Sequence, residues 1–234
     1  MSSKLKNDSL IVNNTQTVNG IMTSLNVKGN EVATSGAILK YLAGLEFPTV
    51  GGVLFYINSD STNTYTFYDA SGTQVSEPTV GTDCTGWTYT KNGDGVDKFY
   101  VYYPTSITNK YWGYYDISIP ASASKNAIGA GKTNTAAILN IADTSGYASG
   151  SIWEYIKYMR ANWIEGCNDW YVGCNTEYDQ LRSSGTTGAS WFSSGQVWSS
   201  IRYNTTLGMC SFSSTGWTYA NKNSKQKFIP IRSF

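Results

Sequence analysis

AIGAGKTNTAAILN, residues Ala127 to Asn140, is the stretch on which the fold turns. Gly131, Lys132 and Thr133 ahead of an apolar run look like a glycine-rich loop that opens a helix and cradles phosphates. Such a loop needs a first glycine whose sharp turn aims backbone N–H groups inward. Asn126 stands in that place. The preceding PASASKN makes a poor buried strand, whereas the motif must leave one, and no apolar strand ending in Asp follows to hold magnesium. The stretch therefore opens a helix without being a nucleotide site.

Around it the chain alternates helical and extended patterns. TNTAAILNIA places Ala136, Ile138, Leu139 and Ile141 in an apolar run, with Asn134 or Thr135 as candidate N-cap. NTEYDQLRSS, Asn175 to Ser184, has acids in its first turns and Arg182 near its end, which suits the helix dipole. SIWEYIKYMRANW is a third helical candidate. GGVLFYI and TYTFYDASG read as strands, and WTYTKNGDGVDKFYVYY reads as a hairpin about Asn92-Gly93-Asp94-Gly95 rather than a calcium loop. The last forty residues return to strands in QVWSSIRYN, GMCSFSSTGWTYANKN and KFIPIRSF. Helices flanked by strands from both ends of the chain imply an α+β domain whose termini share a sheet.

Residues 1–46 differ from the rest. They hold Tyr41 as their only aromatic, and the turn signals Asn19-Gly20 and Gly29-Asn30 divide short Thr/Val/Asn segments. Ile38, Leu42 and Leu45 form a short stripe at helical spacing that needs a partner, either the following domain or copies of itself. The expected division is an oligomerisation and attachment segment over 1–46 and a folded domain over 47–234.

Composition removes several classes of function. Lys+Arg 17 nearly balance Asp+Glu 16, and charged residues make up 14% of the chain, against roughly 25% in ordinary domains. A surface so neutral offers no footprint for nucleic acid or anionic lipid. Histidine is absent, which removes the commonest general base and metal ligand. Cys84, Cys167, Cys174 and Cys210 form no Cys-x-x-Cys pair, so no zinc site is expected. A Cys167–Cys174 disulfide stays open, with free thiols favoured. The start, MSSKLKNDSL, lacks an apolar signal core, and no run approaches the roughly 18 apolar residues of a membrane span. Trp 8, Tyr 18 and Phe 8 with 23 glycines give instead the Tyr/Gly/Ser/Asn mixture that suits contact surfaces.

A series of motifs, in order, carries a resemblance. SASKNAIGAGKTNTAAIL, NDWYVGCNTEYDQL (Asn168 to Leu181), VWSSIRYN (Val197 to Asn204), and FSSTGWTYANKN followed by KFIPIRSF resemble successive segments of C-type-lectin-like domains. These domains belong to the variable proteins of diversity-generating retroelements. GGVLFYI and TFYDASG resemble the opening strands, so the likeness covers most of Gly51 to Phe234. VKGNEVATSGAILKYL resembles the segment that closes many phage tail-fibre shafts. The family's serine before the second helix is replaced by Cys174, and residues 73–121 have no counterpart and are read as an insertion. The sugar-binding motifs of calcium-dependent lectins are missing, so neither calcium nor carbohydrate follows from the likeness.

The resemblance implies a C-type-lectin-like fold: two helices on antiparallel sheets, termini adjacent, with the extended N-terminal segment for oligomerisation. It implies a tail-fibre tip that binds a host cell-surface receptor, assembled as a homotrimer and joined to other tail proteins through its N-terminal segment. The expected location is the virion, with the bacterial cell surface as the alternative. No enzyme activity and no cofactor are expected; Asp169 and Glu177, the candidate acids, lack an evident partner in the sequence. A structural fibre component without ligand and a formylglycine-generating-like enzyme are the rival readings. In the family the C-terminal segment is the diversified one, which implies a ligand-binding surface of Ile201, Arg202, Tyr203, Asn204, Thr205, Thr206 and Leu207. Their own pattern agrees, being neither helical nor alternating, so no core face dictates them. Tyr219, Asn221 and Asn223 alternate along WTYANKN and share a face that joins the surface. Trp170, Trp191, Phe192, Trp198, Phe212, Phe228, Ile229 and Ile231 are expected to be scaffold.

Overall fold

The computed structural model describes residues 48–114, 119–120, 124–145, 149–212 and 216–234. The stripe of Ile38, Leu42 and Leu45, and the whole segment 1–46, lie outside the described residues.

The strands are β1 (Val53–Ile57), β2 (Thr64–Tyr68), β3 (Gln74–Val75), β4 (Thr88–Asn92), β5 (Phe99–Tyr102) and β6 (Ile107–Tyr111) in the first half. Helices α1 (Ala130–Ser145) and α2 (Ile152–Ala161) follow, then β7 (Tyr171–Val172), α3 (Asn175–Ser183) and the one-turn α4 (Thr187–Ser190). The chain ends in β8 (Trp198–Arg202), β9 (Leu207–Phe212), β10 (Gly216–Asn221), β11 (Lys225–Phe228) and β12 (Pro230–Ser233). This is the α+β class, with helices beside several antiparallel sheets.

Two compact units are distinguished. The described part of the smaller is Pro48, Thr66–Ser76 and Trp87–Thr90. Within it Phe67 is buried against Trp87 and Tyr89, with ring centroids 6.4 and 6.3 Å away.

The larger unit is organised by the sheet β1-β5-β12-β7. β5 reads FYVY and is buried at every residue, as an inner strand must be. Val101 faces Leu54 of β1 on one side and Arg232 of β12 on the other. The first and last strands of the unit thus flank one strand, and the expectation that the two ends share a sheet holds. One apolar cluster joins Phe55, Tyr100, Tyr102, Tyr171 and Ile231 of this sheet to Tyr178 and Leu181 of α3 and to Phe192. A second gathers Trp112, Trp153, Ile156, Trp170, Trp198 and Phe228. The scaffold residues Trp170, Phe192, Trp198, Phe228, Ile229 and Ile231 are fully buried, and Trp191 is partly so.

Two local expectations are corrected. The hairpin about Asn92–Gly95 does not form: β4 belongs to the sheet β3-β2-β4, while β5 pairs with β1 and β12. The Gly95 amide donates to the Asn63 side chain at 2.8 Å, and Asn63 Nδ2 returns bonds to the Gly95 and Val96 carbonyls at 3.0 Å, so the loop is tied elsewhere. The α1 helix begins at Ala130, upstream of the candidate caps. Asn134 instead brackets Lys125, accepting from its N–H at 2.9 Å and donating to its C=O at 2.7 Å, and Thr135 is buried beside β7. Residues 73–121, read as an insertion, supply β3 to β6, and β5 among them is buried at every residue.

Candidate binding surface

The Gly131-Lys132-Thr133 stretch is settled by where its groups go. The Gly131 amide, in the first turn of α1, donates to Glu177 Oε2 at 2.9 Å. A Cβ at Gly131 would lie 2.3 Å from that oxygen and 2.8 Å from the Val172 carbonyl, so only glycine permits this approach of α1 to α3. Lys132 pairs with Asp97 at 2.8 Å. The helix start that resembled a phosphate cradle is filled by a carboxylate of the chain itself.

Glu177 is fully buried and also accepts from the Cys174 amide and the Tyr171 hydroxyl, both at 2.9 Å. Burial raises its pKa, and the donors around it oppose that rise. Asp169 is paired with Arg232, whose guanidinium also donates to the Thr49 and Val50 carbonyls. The two acids that lacked partners in the sequence therefore have structural ones. All four cysteines are free and buried, and burial pushes the thiols of Cys84 and Cys210 up to about 12. Among the described residues, no group of three or more acidic or cysteine side chains is placed to hold a metal ion, and no helix is long and apolar enough to cross a membrane.

The sequence-predicted surface lies on the three-stranded sheet β10-β9-β8. Its inner end is core: Trp198 and Cys210 face each other across β8 and β9, and both are fully buried. Trp198 Nε1 donates to the Lys110 carbonyl at 2.9 Å. Ser199 and Ser200 are buried as well; the Ser200 hydroxyl accepts from Asn134 at 3.1 Å.

The outer end is the β8–β9 turn. Ile201 and Arg202 close β8 and are half-buried, Tyr203 and Thr205 are exposed, and Leu207 opens β9 half-buried. Asn204 builds the turn: its Oδ1 accepts from the Thr206 amide, the Thr206 hydroxyl and the Leu207 amide at 2.9, 3.1 and 2.8 Å. The Tyr203 and Asn204 amides both donate to the Leu207 carbonyl, at 2.9 and 3.1 Å. β10 runs alongside, with Tyr219 opposite Met209 and Asn221 opposite Leu207. Asn221 is exposed and accepts from the Asn223 amide at 2.9 Å, turning the chain after β10.

The two predicted segments meet in one contact. The rings of Tyr203 and Tyr219 stack with centroids 4.5 Å apart at 19°, and the two residues are 55% and 51% exposed. Aromatic pairs gain about 0.5–1.5 kcal/mol from such geometry, so this one forms a preset apolar platform in water. Arg202 is the one cation among the ten predicted positions, and its Nε is buried without a hydrogen-bond partner among the described residues.

Residues outside the predicted set hold this surface in place. The Arg202 amide donates to the Ser124 hydroxyl at 3.0 Å. The Lys222 amide donates to the Thr206 carbonyl at 2.9 Å, and the Lys222 carbonyl accepts from Trp112 and Gly113. The Lys222 side chain is fully buried, its ammonium 4.7 Å from the centroid of the Trp112 ring. Gly208 allows that indole to close on β9, since a Cβ there would come within 2.8 Å of it. A lone glycine in a strand is a sequence signal of close approach; Lys222 gives no such signal, because a lysine between two asparagines reads as solvated.

No family model, no curated protein and no solved structure matches the chain.

Proposed function

We propose that the described domain is a C-type-lectin-like display module and that the chain acts as the receptor-binding tip of a phage tail fibre. It works as a homotrimer that joins other tail proteins through its N-terminal segment and binds a host cell-surface receptor without catalysis. In this reading the β8–β9 turn and the outer face of β10 carry residues diversified by a retroelement. The supporting observation is the exposed Tyr203–Tyr219 stack on a turn whose backbone is fixed from beneath. Side chains at Tyr203, Thr205 and Tyr219 are exposed, so they vary without disturbing packing. Trp198, Trp112 and Lys222 belong to the support and do not vary. Three copies on one fibre strengthen weak single contacts through avidity.

The test is attachment of the purified full chain to host cells. Tyr203→Ala with Tyr219→Ala should weaken binding by about 100-fold, since two exposed aromatic anchors are worth roughly 3 kcal/mol at an interface. Its melting temperature should fall by no more than about 6 °C, because the change removes a surface stack worth about 0.5–1.5 kcal/mol and leaves the core intact. Undiminished attachment by a folded double variant would place the receptor surface elsewhere.

A further inference from the structure

A cleft on a different part of the larger unit carries an inference that does not depend on the receptor reading. A cleft of about 560 Å³ opens between the end of β1, the 95–97 loop and the turn that leads into α1. That volume suits a small molecule, for which pockets run from roughly 300 to 1,000 Å³. Tyr56 and Tyr100 line it, their rings 5.6 Å apart and inclined at 58°, and so form an aromatic corner. Ile128 and Gly129 line it from the α1 side, Gly129 with φ +85.

Three polar features set what such a cleft takes. Asp60 lines the cleft and is exposed, and its carboxylate has neither an ion pair nor a hydrogen-bond partner among the described residues. Asp97 has its Oδ2 engaged by Lys132 and Ser233, which leaves Asp60 as the uncompensated charge. Tyr100 is 2% exposed as a residue, and its hydroxyl, which has no hydrogen-bond partner among the described residues, is open to the cleft rather than enclosed. Among the described residues, no lysine or arginine lines the cleft.

The walls are preformed. Asn58 accepts from the Asp60 amide at 3.2 Å and donates to the Asp97 carbonyl at 3.3 Å, while the Ser61 hydroxyl donates to the Val96 carbonyl at 2.6 Å. These bonds lace the loop that carries Asp60 to the loop that carries Asp97. A site held in this way loses little entropy when it is filled.

We propose that this cleft binds a small organic cation, an ammonium group with apolar substituents that rests in the Tyr56/Tyr100 corner with Asp60 as counter-charge. Aromatic faces attract such cations through their quadrupole, and a carboxylate beside them adds specificity over a neutral molecule of the same shape. An anionic ligand would meet Asp60 with no cation to offset it. The Tyr100 hydroxyl donates or accepts one bond to a polar substituent or a bridging water.

The experiment is titration calorimetry of the full chain with choline chloride at constant ionic strength, beside its neutral isostere 3,3-dimethylbutanol. Saturable choline binding is expected, at least 10-fold tighter than the isostere. Asp60→Asn should reduce it at least 10-fold without a change in melting temperature, and Tyr56→Ala should weaken it while Tyr56→Phe retains it. Absence of saturable binding, equal binding of the isostere, or an Asp60→Asn variant that binds as wild type would each overturn the proposal.

Discussion

Replacing Glu177 by alanine should be among the most damaging single changes available in this chain. The side chain is fully buried and accepts from the Gly131 amide, the Cys174 amide and the Tyr171 hydroxyl, each at 2.9 Å. Alanine leaves three buried donors without a partner, at about 1–3 kcal/mol each. Water entering the vacated space would recover part of that, so a loss of about 4 kcal/mol is expected, or roughly 8–16 °C in melting temperature for a chain of this size. Glu177→Gln should cost much less, because its oxygen can replace Oε2 toward the two amides while the Tyr171 hydroxyl turns to accept from its NH2 group. The pH dependence separates the two states of the carboxyl. Burial raises the folded pKa of Glu177 above the ordinary value of 4.5, so the unfolded chain releases its proton first as pH rises. Wild-type stability therefore falls from about pH 4.5 upward through the folded value, while the glutamine variant lacks this slope and gains on wild type. Thermal melts of the three proteins from pH 4 to 8 measure this. A Glu177→Ala loss under about 1 kcal/mol, or a gap to Glu177→Gln that widens with pH, would refute the reasoning.

Trp198→Ala removes a fully buried indole and its bond to the Lys110 carbonyl; denaturant unfolding should show a loss of about 3–5 kcal/mol. Asn204→Ala should cost about 1–2 kcal/mol through the three bonds of the turn, and it should weaken cell attachment although Asn204 need not touch the receptor. Lys132→Ala removes a partly exposed pair with Asp97 and should cost under about 1 kcal/mol. ATP with magnesium should leave the melting temperature of the wild type unchanged, whereas a bound nucleotide well above its dissociation constant would stabilise by roughly 1 kcal/mol or more.

The parts of the fold legible in the sequence are those set by local pattern. NTEYDQLRSS becomes α3 at nearly its expected bounds, because the capping glutamate and the buried Tyr178 and Leu181 agree with helix spacing. The large apolar residues belong to the core by type alone. Where the sequence misled, a long-range partner decided. Asn92–Gly95 has the composition of a hairpin turn, yet Asn63 captures Gly95, and β5 is drawn between β1 and β12 by its burial on every residue. Asn134 has the chemistry of a cap but spends it on Lys125 and Ser200. For the binding surface, the exposure of Tyr203 and Thr205 follows from the absence of a core pattern, and that of Tyr219 from alternation along its strand. Their pairing did not, because the stack depends on β10 lying beside the turn. Nor could the sequence show that Lys222, flanked by surface residues, is buried over Trp112.

Site-specific photo-crosslinking tests the central claim most directly. p-Benzoylphenylalanine placed at Tyr203, at Tyr219, or at Tyr158 keeps an aromatic at each position; Tyr158 is 53% exposed and lies on α2, which is not part of the β10-β9-β8 sheet. Irradiation on host cells should give a covalent adduct to one surface component from positions 203 and 219 and none from 158. An adduct from 158 with none from 203 or 219 would contradict the account.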